Sequence, residues 1–369
     1  QWSSLTTLMV IIGPFLGGVL AENGFWRWIF WMNLPIGAVA MAIALLRIPE
    51  RLEPKQGPVD GLGLCALFIG LFGITYGLLL FPEEGVNPLW GWLGISIGIA
   101  ALGFLIWIES RVTHPIISLR HFKSREFVLI NLQTFLIYAA LGISFILLSL
   151  NLVQIQGYRQ SLAGLAIVPI AVIISLLSSN SGKFSDRFGR RWFLTVGPLL
   201  LAFGYLLHSS VGATEGPGQY WSTFFPGIVL MGLGLATLVA PLTTAAMSSV
   251  PTEESGMASG FNNAVSRISG LLAIASLGSL ALIYFRTDLR SETESLLSPE
   301  QAEKLFQASA QFGATQIPSS IPSPLHPILA QAIDTSFLES FRLVLFGCAA
   351  LCCLGAICGF LCTGEKRAD

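Results

Sequence analysis

The sequence predicts an all-α membrane protein with about ten transmembrane helices. Hydrophobic residues make up 53% of the 369 residues and charged residues only 11%, whereas a soluble domain has roughly 25% charged residues. The apolar stretches reach roughly 20 residues, which is the length of a helix that crosses a bilayer and too long for a barrel strand. Because hydrocarbon offers no partner to backbone polar groups, each stretch is expected to be helical.

Ten apolar segments define the predicted spans. Most of the nine tryptophans fall near their ends, where an amphipathic ring prefers the headgroup level. The spans are predicted at 4–21, 28–47, 61–81, 89–108, 127–150, 161–180, 193–211, 222–244, 263–285 and 340–363.

The distribution of Lys and Arg predicts the orientation of these spans. When the basic run at 181–191 is placed in the cytoplasm, most of the 20 Lys and Arg residues also fall on that side, as the positive-inside rule requires. Ten spans then put both visible ends in the cytoplasm. The short outer loops favour a bacterial inner (plasma) membrane.

The first predicted span contains a proline among glycines: Gly13, Pro14, Gly17 and Gly18. Proline lacks an amide donor and kinks a helix, and glycines let another helix approach closely. A generic kinked helix is the alternative interpretation. The run resembles the G-P-x-x-G-G core of the antiporter motif of the major facilitator superfamily. The stretch from Trp26 to Gly37 is similar to W-R-W-I-F…N-x-P-I-G in its fourteen-span drug:proton antiporter branch.

This resemblance implies major facilitator-type helical bundles and a division of the chain into three parts. The segment at 4–21 would be the fifth of fourteen spans, so the first four would precede the given sequence. Residues 1–47 would hold the last two spans of the amino-terminal six-helix bundle, and 48–126 the linker regions and an extra central helix pair. Residues 127–369 would form the carboxy-terminal six-helix bundle.

One long outer loop is predicted within that last bundle, at 286–339. Ser298, Pro299 and Gln301 have the pattern of a capped helix start, which predicts a short helix over about 299–311. A plain extracytoplasmic loop and a role in substrate occlusion are both open interpretations of the remainder.

Glycines and charges recur at fixed spacing between two apolar spans, which predicts a short cytoplasmic hairpin. The run is similar to the G-x-x-x-D-[RK]-x-G-[RK]-[RK] signature of the same superfamily. The glycines are expected to provide turn geometry, and the acid to lie before a helix starting near Arg191, where it can interact with the helix dipole. The matching residues are Gly182, Asp186, Arg187, Gly189, Arg190 and Arg191.

The signature is interpreted as a cytoplasmic gate. The hypothesis is that Asp186 latches the closed cytoplasmic side by contacting the first visible span near residues 1–4. An interaction of about 1–3 kcal/mol is enough to bias two conformations of nearly equal energy. The alternative is that these charges only anchor the topology.

Two spans carry polar and aromatic residues on one face, which predicts part of a substrate cavity. In the span at 127–150, such residues recur at spacings of three and four; in the span at 222–244, Thr237 and Pro241 share a face. Polar contacts between helices are the alternative for the first span, and helix flexing is the alternative for the second. The first set is Asn131, Thr134, Tyr138, Gly142, Phe145 and Ser149.

Other classes of protein lack support in the sequence. The four histidines are scattered and do not have metal-ligand spacing, and a G-x-x-x-x-G-K loop for ATP phosphates is absent. Five of the six cysteines crowd the last span, where small packing residues are favoured over a thiol or palmitoylation site. A net charge of −1 gives no indication of nucleic-acid binding. We expect no enzymatic activity, no metal and no cofactor.

The function implied by the resemblance is proton-coupled export of amphipathic or cationic drugs by alternating access, with the proton gradient as energy source. Intramembrane acids mark proton relays, and the predicted spans have none in their cores, so the coupling carboxylate is expected in the preceding spans. The expected partners are a small-molecule substrate, protons and the lipid bilayer, and the protein is expected to be a monomer. Export of an endogenous metabolite, lipid or siderophore, and a non-transporting receptor or relic of this fold, are the alternatives.

Overall fold

The computed structural model describes residues 13, 15–47, 60–83, 85–112 and 119–362, without the side chains of Asp186 and Glu253. Every regular element in these ranges is helical, and nine of the helices are long and apolar enough to cross a membrane. The all-α prediction is therefore confirmed. The predicted span at 4–21 lies mostly outside the described residues. Residues 15–22 are helical, and we call them the leading segment.

Ten helices of eight or more residues follow the leading segment in the described ranges, joined by turns, 3-10 segments and the short helix Tyr220–Thr223. Their bounds are α1 Trp28–Arg47, α2 Gly61–Leu80, α3 Pro88–Glu109, α4 Arg125–Leu150, α5 Gln160–Phe188, α6 Arg190–Ser209, α7 Phe225–Ser248, α8 Ser255–Thr293, α9 Pro299–Ala308 and α10 His326–Leu361.

Helices α2 and α3 form a tight antiparallel pair. At its first turn, Asp60 caps α2 by accepting a hydrogen bond from the backbone N–H of Gly63 at 2.8 Å. Further along, the two backbones approach so closely that a Cβ atom on Gly77 would lie 2.6 Å from the carbonyl oxygen of Gly91. Helix α2 also packs on α8, and this contact connects the α2–α3 pair to the following helices.

Helices α4 to α8 and α10 pack into one bundle with a continuous apolar core. Helix α4 packs on α8 and α10, α6 packs on α7 and α10, and α5 packs on α7. Small residues set the closest crossings: a Cβ atom on Gly142 of α4 would lie 2.7 Å from the Cα atom of Gly270 in α8. Such crossings are typical of membrane helices, where packing and hydrogen bonding replace the hydrophobic effect between helices.

The two ends of the bundle differ in structure. One end holds the connection between α5 and α6, and we call it the signature end. At the other end α4 finishes in a π-helical turn, Asn151–Ile155. There the Gln156 amide donates to the Gly212 carbonyl at 3.0 Å and accepts from the Thr214 N–H at 2.9 Å. Gln156 thus ties the end of α4 to the connection between α6 and α7.

The prediction of a long loop at 286–339 is wrong in its extent. Helix α8 continues to Thr293, and α10 already starts at His326. The polar residues after position 285 remain helical because the helix buries one face, including Leu289, against its neighbours after it has passed the apolar stretch. We call residues 286–339 the platform, and this end of the bundle the platform end.

The capped helix inside the platform is confirmed. Ser298 accepts from the N–H of Gln301 at 3.4 Å, and the Gln301 side chain accepts from the N–H of Ser298 at 3.1 Å, which completes a capping box. Helix α9 ends at Ala308 and continues as a 3-10 segment over Ser309–Ala314. Leu305 and Phe306 are buried, so α9 packs firmly against the rest of the platform.

Candidate functional site

The signature residues do not form a hairpin loop. Gly182 lies inside α5, as does the backbone of Asp186, and α6 begins at Arg190, so the chain reverses at Gly189 alone. Gly189 has φ 97° and ψ 127°, a conformation that strains any residue with a Cβ atom. Gly182 instead faces α7, where an added Cβ would meet the Cβ of Ala240 at an ordinary 3.7 Å.

Two signature arginines fasten the helices of this bundle to each other. Arg190 donates to Ser248 Oγ at 2.7 Å and lies 3.4 Å from a carboxylate oxygen of Glu126, which joins the start of α6 to α7 and α4. The guanidinium of Arg191 stacks on the ring of Phe360 in α10 at 3.6 Å. Arg187 is exposed. The contact predicted between Asp186 and residues 1–4 lies outside the described residues, so the latch stays a prediction.

The antiporter-motif glycines differ in their surroundings. A Cβ atom on Gly18 would lie 2.5 Å from the carbonyl oxygen of Gln160 and 2.9 Å from the Cα atom of Ser161, so the leading segment meets the start of α5 backbone to backbone. Gly13 and Gly17 have no described atom within 4 Å of such a Cβ position. Pro14 lies outside the described residues.

A carboxylate that the sequence reading missed reinforces this contact. Glu22 Oε2 accepts hydrogen bonds from Ser161 Oγ at 2.5 Å and from the Ser161 N–H at 3.4 Å. The hydrogen bond from the Ser161 side chain lowers the pKa of Glu22 below its ordinary value of 4.5. Ser161 lies in the first turn of α5, and the cap residue Arg159 offers no side-chain cap, so Glu22 occupies the position of an N-cap.

The polar face predicted on α4 contacts α8. Asn262, which the sequence reading also missed, donates to Thr134 Oγ1 at 2.7 Å and to Asn131 Oδ1 at 3.1 Å. Asn131 and Thr134 are both buried. This arrangement has the form of a polar contact between helices, and a role of the pair in substrate binding stays a prediction.

The remaining predicted cavity residues are less enclosed. Tyr138 and Phe145 on α4 are half-buried and pack against the core of the bundle. On α7, Thr237 is half-buried and donates to the Leu233 carbonyl at 2.7 Å. Pro241 is buried inside the same helix. These four residues therefore lie on two different helices of one bundle, and their contact with substrate also stays a prediction.

A second polar cluster lies at the signature end. Arg120 and the buried His121 both contact the carboxylate of Glu254, which joins the segment before α4 to the connection between α7 and α8. The neighbouring rings of Phe127 and Phe261 stack with centroids 5.4 Å apart. Within the described ranges, no group of three or more His, Cys, Asp or Glu residues is arranged to hold a metal ion.

Similar proteins share most of this chain. It is 27% identical over 293 residues to "Multidrug resistance protein Stp" of Mycobacterium tuberculosis, covering 79% of the chain and 54% of that protein. It is 28% identical over 278 residues to "Multidrug export protein EmrB" of Escherichia coli, covering 73% and 52% respectively. It is 28% identical over 353 residues to the "Tetracenomycin C resistance and export protein" of Streptomyces glaucescens, covering 93% and 64%.

The chain spans about half the length of the first two of these relatives. The profile of the family described as "Major Facilitator Superfamily" matches residues 2–274, which is well over half of the chain. Together with the apolar helices, this match identifies an integral membrane protein. The chain belongs to the major facilitator superfamily.

Proposed function

We propose that the complete protein exports small amphipathic or cationic molecules from a bacterial cell by alternating access, driven by proton entry. The observation that carries this proposal is the contact between the leading segment and the first turn of α5. Gly18 and Glu22 close the platform end there, while the signature residues lie at the opposite end of the same helix. A helix with a separable contact near each end suits a carrier that opens one side at a time.

We also propose a division of the chain into bundles, with which this contact is consistent. Residues 1–47 belong to an amino-terminal six-helix bundle, 127–369 to the carboxy-terminal one, and the α2–α3 pair lies between them in sequence. In this arrangement the leading segment and α5 come from opposite bundles, so the contact between Gly18 and Gln160 crosses the interface that must open. The signature end faces the cytoplasm. In this proposal, Asp186 latches the closed cytoplasmic side.

The relatives support the substrate class. The names of the three relatives refer to multidrug resistance, multidrug export and export of tetracenomycin C. Among the described residues, the carboxylates of the spans lie near helix ends, as Glu109 and Glu126 do, or in the platform part of α10, as Asp334 and Glu339 do. We therefore place the proton-coupling acid in spans that precede residue 1, and we propose that the protein works as a monomer.

Dye efflux tests the proposed function. Cells that carry the complete gene are loaded with a cationic dye, energised, and followed with and without a protonophore. Efflux that depends on the gene and stops with the protonophore supports proton-coupled export. Gene-dependent efflux that continues after the proton gradient collapses contradicts proton coupling, and no efflux of any amphipathic dye contradicts the substrate class.

A crosslink tests alternating access directly. Cysteines replace Glu22 and Ser161 in a variant of the complete protein whose native cysteines have been replaced, and a short bis-methanethiosulfonate crosslinker joins them through two disulfide bonds. The crosslink is expected to stop efflux, and cleaving it with a reductant to restore efflux. The matched control places the pair within one bundle, at Gln156 and Thr214, whose side chains are 2.7 Å apart, and is expected to leave efflux unchanged. Full efflux by the crosslinked Glu22–Ser161 pair is the contradicting result.

A further inference from the structure

A cavity of about 540 Å³ lies at the platform end, between the turn that joins α2 to α3, the outer turns of α8, and α9. Binding pockets for small ligands have volumes of about 300–1,000 Å³. Its lining includes neither a signature residue nor Glu22 or Ser161.

The walls of the cavity are held together by Arg286. Its Nε donates to Ser309 Oγ at 2.9 Å, and its Nη1 donates to the carbonyl oxygen of Pro82. One side chain of α8 therefore joins the platform to the turn between α2 and α3. These contacts fix the shape of the cavity before any ligand arrives.

Arg290 is the cation available to a ligand. It lies one helical turn beyond Arg286, is exposed, and stacks its guanidinium on the buried Phe306 ring at 4.6 Å. Among the described residues, no carboxylate forms an ion pair with Arg290. A guanidinium that stacks by its face keeps the N–H donors at its edge, which fit a phosphate or carboxylate in bidentate fashion.

Carboxylates face the same space. Glu83, from the turn between α2 and α3, and Glu303, from α9, both line the cavity and are exposed. Glu303 accepts a hydrogen bond from the Gln307 side chain at 3.3 Å, which leaves further acceptor capacity. The charges of Glu83 and Glu303 balance those of Arg286 and Arg290, so the lining suits a ligand with one anionic and one cationic group.

The apolar part of the lining gives the direction from which such a ligand enters. Phe81, Ile283 and Phe306 complete the cavity. Trp90 and Trp92, at the start of α3, are 63% and 60% exposed, and the Trp92 ring meets the Phe81 ring at a centroid distance of 5.3 Å. Exposed Trp rings at a span end mark the headgroup level of a bilayer. The cavity therefore lies at the depth of lipid headgroups.

We infer that this cavity binds the headgroup of a phosphoethanolamine lipid from the leaflet at the platform end. Arg290 holds the phosphate, Glu83 and Glu303 accept from the ammonium group, and the apolar wall takes the glycerol region. The bound headgroup bridges the α2–α3 pair and the platform. The inference does not depend on transport, because binding is measured on the purified protein.

The test is a binding titration of the complete protein, purified in detergent, with short-chain phosphatidylethanolamine, short-chain phosphatidylcholine, free phosphoethanolamine and inorganic phosphate. Phosphatidylethanolamine is expected to bind tightest, because the quaternary ammonium of phosphatidylcholine has no N–H donor for the carboxylates. Arg290→Gln is expected to weaken phosphatidylethanolamine binding about tenfold or more. Arg290→Lys is expected to give a smaller loss, since it keeps the charge without the planar fork.

Glu303→Gln serves as the specificity variant. It is expected to weaken phosphatidylethanolamine binding more than phosphatidylcholine binding, because the ammonium N–H donors lose a charged acceptor while the quaternary ammonium loses only a Coulomb attraction. Lys304→Gln is the matched control, because Lys304 is the next residue on α9 and pairs with Glu300 outside the cavity. All variants are compared by elution volume and thermal unfolding, so that a folding defect is separated from a binding defect.

Equal binding by wild type and Arg290→Gln overturns the inference. Equal affinity for the two lipids overturns the assignment of the carboxylates. Free phosphoethanolamine that binds as tightly as the lipid overturns the assignment to a membrane ligand and points to a soluble zwitterion.

Discussion

The carboxylate of Glu22 caps the start of α5 by accepting hydrogen bonds from Ser161, although the two residues are 139 positions apart in sequence. Helix α5 has no cap from its own N-cap residue, Arg159. Because the first amides of a helix lack internal partners, the start of α5 is satisfied by Glu22 only while the leading segment remains in contact. Under the proposed function, separation of the two segments exposes these amides to water when the platform end opens.

Removing the Glu22 carboxylate is expected to favour the open platform end. In Glu22→Ala, the acceptor for Ser161 is lost, so the closed state loses a charge-assisted hydrogen bond that the open state never had. Spin labels at the exposed positions Asn23 and Ala213 would report the distance between the two segments. In Glu22→Ala, the distribution of distances between the two spin labels is expected to shift to longer values. Glu215→Gln, an exposed acid at the same end, should leave it unchanged, and an unchanged distribution in Glu22→Ala argues against the cap.

The pH dependence of this contact follows from the lowered pKa of Glu22. A carboxyl whose pKa is lower in the closed state stabilises that state fully above its ordinary pKa of 4.5, and the contribution disappears as the pH falls through the lowered value. The same spin-label distances are therefore expected to be constant from neutral pH down to about pH 5.5 and to lengthen only in stronger acid. A change centred near neutral pH contradicts this assignment and makes Glu22 a candidate proton carrier.

Gly18 is expected to be the most size-sensitive glycine of the leading segment that the structure describes. The position of its added Cβ, 2.5 Å from the Gln160 carbonyl, is closer than non-bonded atoms allow, so Gly18→Ala pushes the two backbones apart. Dye efflux by the complete protein is expected to fall severalfold, while its amount in the membrane is unchanged. Gly103→Ala on α3, where the described surroundings leave open space, is the control. Normal efflux by Gly18→Ala rules out close packing as a requirement.

Gly189 is expected to be the sensitive glycine of the signature. Its φ of 97° strains an alanine, at a cost of about 1–3 kcal/mol. Gly182→Ala places a methyl group at ordinary contact distance from Ala240 and is expected to be tolerated. Thermal unfolding of the two purified variants compares them directly. Equal destabilisation would show that the turn is not confined to Gly189.

The hydrogen bonds of Asn262 are expected to be a packing interaction between α4 and α8. A double-mutant cycle with Asn262→Ala and Thr134→Val should give a coupling energy of about 0.6 kcal/mol, the average for hydrogen bonds between membrane helices. Efflux kinetics of the same variants provide the second readout. If the apparent substrate affinity changes strongly while the coupling energy for unfolding is zero, these residues belong to the substrate path instead.

Hydropathy predicted most spans because α2, α3, α4, α6 and α7 end within a few residues of the ends of their apolar stretches. Helix α5 instead continues through the charged signature to Phe188. Hydropathy could not predict the length of α8, since the continuation to Thr293 depends on burial of Leu289 and its neighbours in the platform. The signature spacing located the reversal between α5 and α6 without assigning it to one glycine, because two glycines fit a turn equally well in sequence. The roles of Glu22 and Asn262 could not be predicted from the sequence, because their partners, Ser161 and Thr134, lie 139 and 128 residues away.

The unbroken course of α8 has a mechanical consequence. Helix α8 has 39 residues, which at 1.5 Å per residue give a rod about 58 Å long. It crosses α4 at Gly142 and Gly270, and the part beyond that crossing is about 35 Å long. A tilt of about 10° around this fulcrum carries the tip of α8 sideways by about 6 Å. Since Arg286 fastens α8 to Pro82, the α2–α3 pair moves with this lever, and small rotations near the bilayer centre become large displacements at its surface.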